Sequence, residues 1–142
     1  MIGMKYKNKR HKNIFLFKFK MKVACGIMFD NANKILMGLR SEKGLNPNFW
    51  EFPGGKCEAN ETLEDCLHRE WMEELNLKIK IEKLLHVSKS EDIECYFFIG
   101  KILDLGNLHV NVHQYVSFYD IQQLNQIRLF EDDQNIISLL KN

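Results

Sequence analysis

The chain has 142 residues, 45% hydrophobic and 27% charged, which suits one compact core. Its net charge of +1 hides an asymmetry: residues 1–22 carry eight Lys or Arg and no acid, which leaves 12 basic against 19 acidic groups, about −7, for the body. An acidic body lacks the basic face that extended nucleic-acid binding needs, and the apolar run over 14–19 is far too short to span a bilayer.

Residues 1–20 read as a basic, flexible N-terminal extension and residues 21–142 as the domain. Three roles for the extension stay open: an unstructured segment upstream of a start at Met21, a basic arm for a nucleic acid or membrane, and an organelle-targeting leader. The last is weakened by the absence of serine and the presence of a single arginine. No internal repeat, low-complexity tract or linker divides the rest. Cysteines at 25, 57, 66 and 95 form no close pair of metal-ligand type and read as reduced thiols of an intracellular, cytoplasmic protein. Cys25, Cys66 and Cys95 sit in apolar contexts as core fillers, and Cys57, in a loop after two glycines, is the candidate for reactivity.

In chain order, strands are expected at 22–29 and 34–40, a hairpin turned by the polar cluster 30–33. A loop over 41–48 leads to a short strand at 49–52. Pro53-Gly54-Gly55-Lys56 then reads as a turn whose glycines let the backbone approach a ligand closely. A helix follows over about 62–75; Thr62, Asn60 or Glu61 marks its start, and Asn76 stands where a left-handed residue ends it. Further strands are expected near 79–88, 94–103 and 114–118, then a short helix near Ile121 and a last helix over 132–140. Strands around a few helices make an α+β sandwich.

The first long helix carries the strongest chemical signal. At about 100° per residue, Glu70, Glu73 and Glu74 project within about 100° of one another. Leu63, Cys66 and Leu67 share that sector one or two turns earlier, so the docking stripe passes from apolar to acidic. Like charges at these spacings repel, weakly on an open surface and strongly where desolvated. A hard divalent cation offsets them, since Mg²⁺ takes a few carboxylates and keeps waters and substrate phosphates as its other ligands. A solvated acidic face is the alternative for an isolated ExxEE; the glycine turn ahead of it favours the cation.

Gly55, five residues, Glu61, seven residues, then Arg69-Glu70-Trp71-Met72-Glu73-Glu74-Leu75-Asn76-Leu77 resembles the signature of the Nudix hydrolases over 23 consecutive positions. The family pattern has glycine where Asn76 stands, and asparagine is the next most tolerant residue of the left-handed region. Gly38-Leu39-Arg40 and Trp50-Glu51-Phe52-Pro53-Gly54-Gly55-Lys56 are similar to the MutT branch, which hydrolyses nucleoside triphosphates. The resemblance implies the Nudix fold, a mixed β-sheet sandwiched between α-helices. It also implies Mg²⁺, or Mn²⁺, held by Glu70, Glu73, Glu74 and the Gly54 carbonyl. Glu70 then takes a proton from water, Arg69 holds the glutamates with Glu61 as its partner, and Arg40 contacts substrate phosphates through its planar charged fork. Lys56 meets phosphate or a carboxylate, or stays a loop lysine in solvent.

Many relatives carry a further glutamate just before a histidine in a late loop; the counterpart here, Val112-His113-Gln114, lacks it. Glu91, Asp92 or Glu94 is a candidate substitute, and His113, His86 and His109 read as structural or loop histidines. A residue at the start of the last helix reads the base in MutT-like relatives. Asp133 aligns best and Asp132 next, with helix N-terminal capping as the competing role. Phe52, Phe97 and Phe98 either stack on a base or fill the core. The resulting expectation is Mg²⁺-dependent cleavage of a (deoxy)nucleoside triphosphate to monophosphate and pyrophosphate, with 8-oxo-dGTP first among substrates. CTP or another pyrimidine nucleotide, a dinucleoside polyphosphate and an RNA cap are alternatives, and no stable nucleic-acid or membrane partner is expected. A non-catalytic nucleotide-binding module is the alternative of another class.

Overall fold

The computed structural model describes residues 20–141, so the roles weighed for the leader, Lys20 apart, lie outside the described residues. Strand β1 (Met21–Phe29) is the axis of the sheet. Along one edge it runs parallel to β6 (Ile93–Ile102), in register from Met21↔Ile93 to Phe29↔Lys101. Its other edge is shared: β4 (Gly54–Lys56) pairs antiparallel with Val23, Ala24 and Cys25, and β2 (Ile35–Leu39) joins antiparallel at Phe29↔Ile35. β3 (Trp50–Glu51) and β7 (Tyr115–Tyr119) pair with β2, and β5 (Ile79–Lys89) closes the far side on β6. The seven strands form one mixed sheet.

Alternation along β1 sends Ala24 and Met28 to one face and Ile27 to the other. Helix α1 (Leu63–Leu75) covers the first face, burying Cys66, Leu67, Trp71 and Leu75 against Ala24, Met28, Leu36 and Phe98. A 3₁₀ turn (Ile121–Gln126) and helix α2 (Glu131–Leu140) cover the second, packing Leu124, Ile136 and Ile137 on Ile27, Ile35, Met37 and Phe97. This is the expected α+β sandwich, a mixed sheet between helices. Among the described residues, no helix is long and apolar enough to cross a membrane.

Element ends differ from the sequence expectation by a single residue, and local chemistry explains the helix. Thr62 is its N-cap, with Oγ1 accepting the Asp65 N–H at 3.0 Å. Asn76 ends it in the left-handed region at φ 55° and ψ 38°, its own N–H on the Met72 carbonyl at 3.0 Å. The glycine segment departs from expectation, because Gly54–Lys56 pairs as strand β4 instead of forming a free turn. None of the described glycines has positive φ. What Gly54 and Gly55 supply is close approach: a Cβ at Gly54 would stand 1.9 Å from the Ala24 carbonyl oxygen, and one at Gly55 2.4 Å from Glu70 Cδ. The Pro53 carbonyl pins this segment between strand and helix, accepting the Gly26 N–H and the buried Trp71 Nε1–H, each at 2.9 Å.

Gly54→Ala is expected to cost about 1–3 kcal/mol by forcing β4 off β1. Gly44→Ala, whose new methyl meets nothing within 4 Å, should stay within about 1 kcal/mol of wild type. Urea midpoints measure both.

Candidate active site

The acidic end of α1 is organised by one guanidinium. Arg69 Nε and Nη2 grip the two oxygens of Glu61 at 2.7 and 2.8 Å. Nη1 reaches Glu70 Oε1 at 2.9 Å and Glu73 Oε2 at 3.2 Å, and Nη2 also meets the Lys56 carbonyl at 3.1 Å. These bonds occupy the whole donor set of the side chain. The fork-on-fork contact holds Glu61 down to about 2 and keeps Arg69 charged at every accessible pH.

Glu74 has no such partner. Its Oε2 is buried without a hydrogen bond. Burial first, then the charges of Glu70 and Glu51, push its pKa up to about 8, opposed by a backbone bond from Gly54. Glu70 is raised too, chiefly by burial, with Arg69 pulling the other way and Glu73 adding repulsion. These acids occupy the C-terminal half of α1, where the helix dipole is negative, and no basic residue stands in the last turn. The three carboxylates do not converge to within 4.8 Å of one another; Glu73 is exposed and is held through one Arg69 nitrogen at 3.2 Å. An orphaned carboxylate oxygen among like charges at the negative end of a helix fits a hard divalent cation held by Glu70, Glu73 and Glu74.

Glu74 faces a cleft of about 380 Å³ bordered by Arg40, Glu51, Phe52, Gly54, Lys56 and His113. It opens where the edge of β1 changes partner from β4 to β2. A wider groove of about 620 Å³ along β5 is bordered by Phe98 but by none of the acidic, Arg40 or Lys56 candidates.

Glu51, on β3, is the group that sequence reasoning missed. Its Oε1 accepts Arg40 Nη1 at 2.8 Å and its Oε2 meets Nε2 of the buried His113 at 2.8 Å. Burial pushes Glu51 up, yet the bonds from His113 and Arg40 together hold its carboxyl below its ordinary value. The available signal was a carboxylate between two aromatics, Trp50 and Phe52, on a two-residue strand. Arg40 is further braced by the Leu45 carbonyl at 3.1 and 2.9 Å and stands 5.6 Å from the Phe130 ring centre. Lys56 is exposed at the rim. Phe52 lies mostly in the core, edge-on to Phe97 at 6.3 Å, and Phe97 and Phe98 are both buried there.

His113 arrives on the loop before β7, which is stitched to the end of α1. The His109 and Asn111 N–H groups donate to the Leu75 and Glu74 carbonyls at 2.9 Å, and the Asn111 amide donates to the Glu73 carbonyl at 2.8 Å. Carbonyls that a helix C-terminus would leave without partners are thereby satisfied. Val112 is exposed at the cleft. The candidate substitutes for the late-loop glutamate lie elsewhere: Glu94 sits by Lys89 and Tyr96, Glu91 and Asp92 are exposed between β5 and β6, and none of them borders the cleft.

Asp133 and Asp132 part company at the start of α2. Asp132 is exposed and Asp133 buried, and neither caps the helix, whose N-cap is Phe130 without a side-chain bond. Burial first, then Glu51 and Asp132, push Asp133 up to about 8, against the Phe52 backbone N–H. Asp133 therefore sits behind Glu51 and Phe52 and does not border the cleft.

The pattern of the NUDIX domain matches residues 19–140. The chain belongs to the Nudix hydrolase family. The 8-oxo-dGTP diphosphatase of Proteus vulgaris is 35% identical over 86 residues, spanning 58% of this chain and 77% of that protein. The 8-oxo-dGTP diphosphatase of Escherichia coli K12 is 32% identical over 84 residues, 56% of this chain and 65% of its own. Nucleoside triphosphatase NudI of Enterobacter sp. strain 638 is 32% identical over 71 residues, so this Nudix chain spans only 50% of that relative. MutT from Aliivibrio salmonicida and Vibrio cholerae shares the fold with a TM-score of 0.74 at 24% identity, over 84% of this chain and 94% of that one.

Asp133 gives a pH signature. Between its ordinary value of 3.8 and about 8, the folded state keeps a proton that the unfolded state has released, so its burial lowers stability as pH rises through that window. Asp133→Asn removes the slope. Its stability relative to wild type is expected to climb from about pH 4 to pH 8, by at most about 1.4 kcal/mol per pH unit. Melting curves across that range check it, and a flat difference would mean that Asp133 is ionised throughout.

Proposed function

We propose that this Nudix hydrolase is a Mg²⁺-dependent diphosphatase that cuts a (deoxy)nucleoside triphosphate to the monophosphate and pyrophosphate. An oxidised purine nucleotide such as 8-oxo-dGTP is its preferred substrate, and Mn²⁺ substitutes for Mg²⁺. The observation that carries this reading is the orphaned Glu74 carboxylate, facing the cleft that Arg40 also borders.

A divalent ion held by Glu70, Glu73 and Glu74, with the Gly54 carbonyl as a further ligand, supplies charge neutralisation for the phosphates and acidifies water. The chain's own residues do the rest. Arg69 fixes Glu70 and Glu73 through one nitrogen, so the charged cluster is set before substrate arrives. Glu70 takes the proton of the attacking water. Arg69 occupies its Oε1, and its Oε2 lies within 2.5 Å of where a Gly55 Cβ would be. Arg40 turns its fork to a phosphate, and Lys56 adds charge from the rim.

For the base, Asp133 is the reader that the family resemblance points to, acting from behind Glu51 and Phe52, with Asp132 exposed beside it. Kept protonated below about 8, Asp133 can donate as well as accept toward a purine edge. Relatives named 8-oxo-dGTP diphosphatase support the purine, and NudI, named nucleoside triphosphatase, supports the wider class.

Pyrophosphate release with Mg²⁺ from 8-oxo-dGTP, dGTP, dCTP, CTP and diadenosine polyphosphate tests the reading. We expect the highest kcat/KM for 8-oxo-dGTP, a fall of about 10²–10⁴-fold in kcat for Glu70→Gln, and weaker discrimination against dGTP in Asp133→Ala. A pyrimidine or dinucleotide as best substrate would overturn the base assignment alone. Tight nucleotide binding with no turnover would make the protein a binding module.

A further inference from the structure

Cys57 follows the last residue of β4, and Cys66 lies in the first turns of α1. The connection between them doubles back. Cys57 Sγ, Cys66 Sγ and a Glu61 carboxylate oxygen come within 4.8 Å of one another, and no other set of three such side chains does so among the described residues. The sequence reading, which found no close cysteine pair, is corrected here because the turn into the helix closes a gap that chain separation left open.

We propose that Cys57, Cys66 and Glu61 form a binding site for one thiophilic divalent cation of the Zn²⁺ class, separate from the acidic cluster of the cleft. Two thiolates and a carboxylate are a ligand set that Zn²⁺ accepts and that a hard ion such as Mg²⁺ does not favour. Tetrahedral Zn²⁺ holds sulfur at about 2.3 Å and oxygen at about 2.0–2.2 Å, which places ligands roughly 3.5–3.8 Å apart. The observed separations, all within 4.8 Å, lie within about 1.3 Å of that. Glu61 can serve both partners: the Arg69 Nε–H takes one acceptor position of Oε2, and a carboxylate oxygen offers two.

Access and charge agree with the ligand set. Cys66 is buried, but Cys57 and Glu61 open on a groove of about 640 Å³ that is also bordered by Lys20 and Lys22. Water from this groove supplies the fourth position. Two thiolates, one carboxylate and a divalent ion leave one net negative charge, which the groove's Lys20 and Lys22, less the charge of Glu58, offset. The remaining cysteines do not share this setting, since Cys25 and Cys95 pack against the apolar cluster on the opposite face of the sheet.

The test is a Co²⁺ titration of the reduced full-length protein in excess Mg²⁺, read by the sulfur-to-cobalt charge-transfer absorption. The expected result is a band that saturates at one ion per chain and is bleached by Zn²⁺. The band should vanish in Cys57→Ser and in Cys66→Ser and persist in the Cys25→Ser, Cys95→Ser double variant. Absence of the band in wild type overturns the proposal, a result that needs no variant to fold. Persistence of the band in Cys57→Ser, a near-isosteric change at a half-buried position, overturns it equally.

Discussion

Everything at this site depends on how α1 tolerates Glu70, Glu73 and Glu74 at its dipole-negative end. One guanidinium answers part of the problem. By gripping Glu61 with two nitrogens and bridging Glu70 and Glu73 with the third, Arg69 ties the loop before the helix to the acids on it. The fourth acid, Glu74, lies beyond that reach and keeps a buried oxygen without a partner. Neighbouring carboxylates and burial act on it together, so the unmet electrostatic demand is concentrated at one atom facing the cleft. That residue of demand is what a cation would answer.

The sheet delivers the other half of the site. Because β1 gives the first part of its edge to β4 and the end of it to β2, the chain between β3 and β4 crosses the opening and brings Glu51 toward Glu74. Two long-range contacts hold Glu51 there, one from Arg40 at the end of β2 and one from His113 before β7. The loop that carries His113 is itself bonded to the last carbonyls of α1. Helix end, loop and strand β3 thus form one connected frame, and Glu51 couples the acidic cluster on one side to Asp133 on the other.

What was legible in the sequence is what local periodicity decides. Glu70, Glu73 and Glu74 share a helix face, so spacing alone brings them together, whereas Glu61, in the loop before the helix, is matched to Arg69 by the family resemblance. Asn76 is readable as the helix end, while the sequence narrows the start only to Asn60, Glu61 or Thr62, and the side-chain bond of Thr62 to Asp65 decides it. Glu51 and His113 are not readable in this way, because their contact joins positions 62 apart in sequence and exists only once β2 has paired with both β3 and β7. The sequence marks the glycines for close approach of the backbone to a ligand, and the close approach that the fold requires of them is to Ala24 and Glu70. Asp133 and Asp132 are neighbours that only the packing of α2 against the sheet distinguishes, by burying one and exposing the other.

The most direct test of the central claim is Mn²⁺ binding to the reduced protein, followed by electron paramagnetic resonance with Mg²⁺ as competitor. The account predicts a Mg²⁺-displaceable Mn²⁺ site that weakens sharply in Glu74→Gln while the fold stays intact. Unchanged Mn²⁺ affinity in that variant would contradict it, because the orphaned carboxylate would then not be where the cation is held.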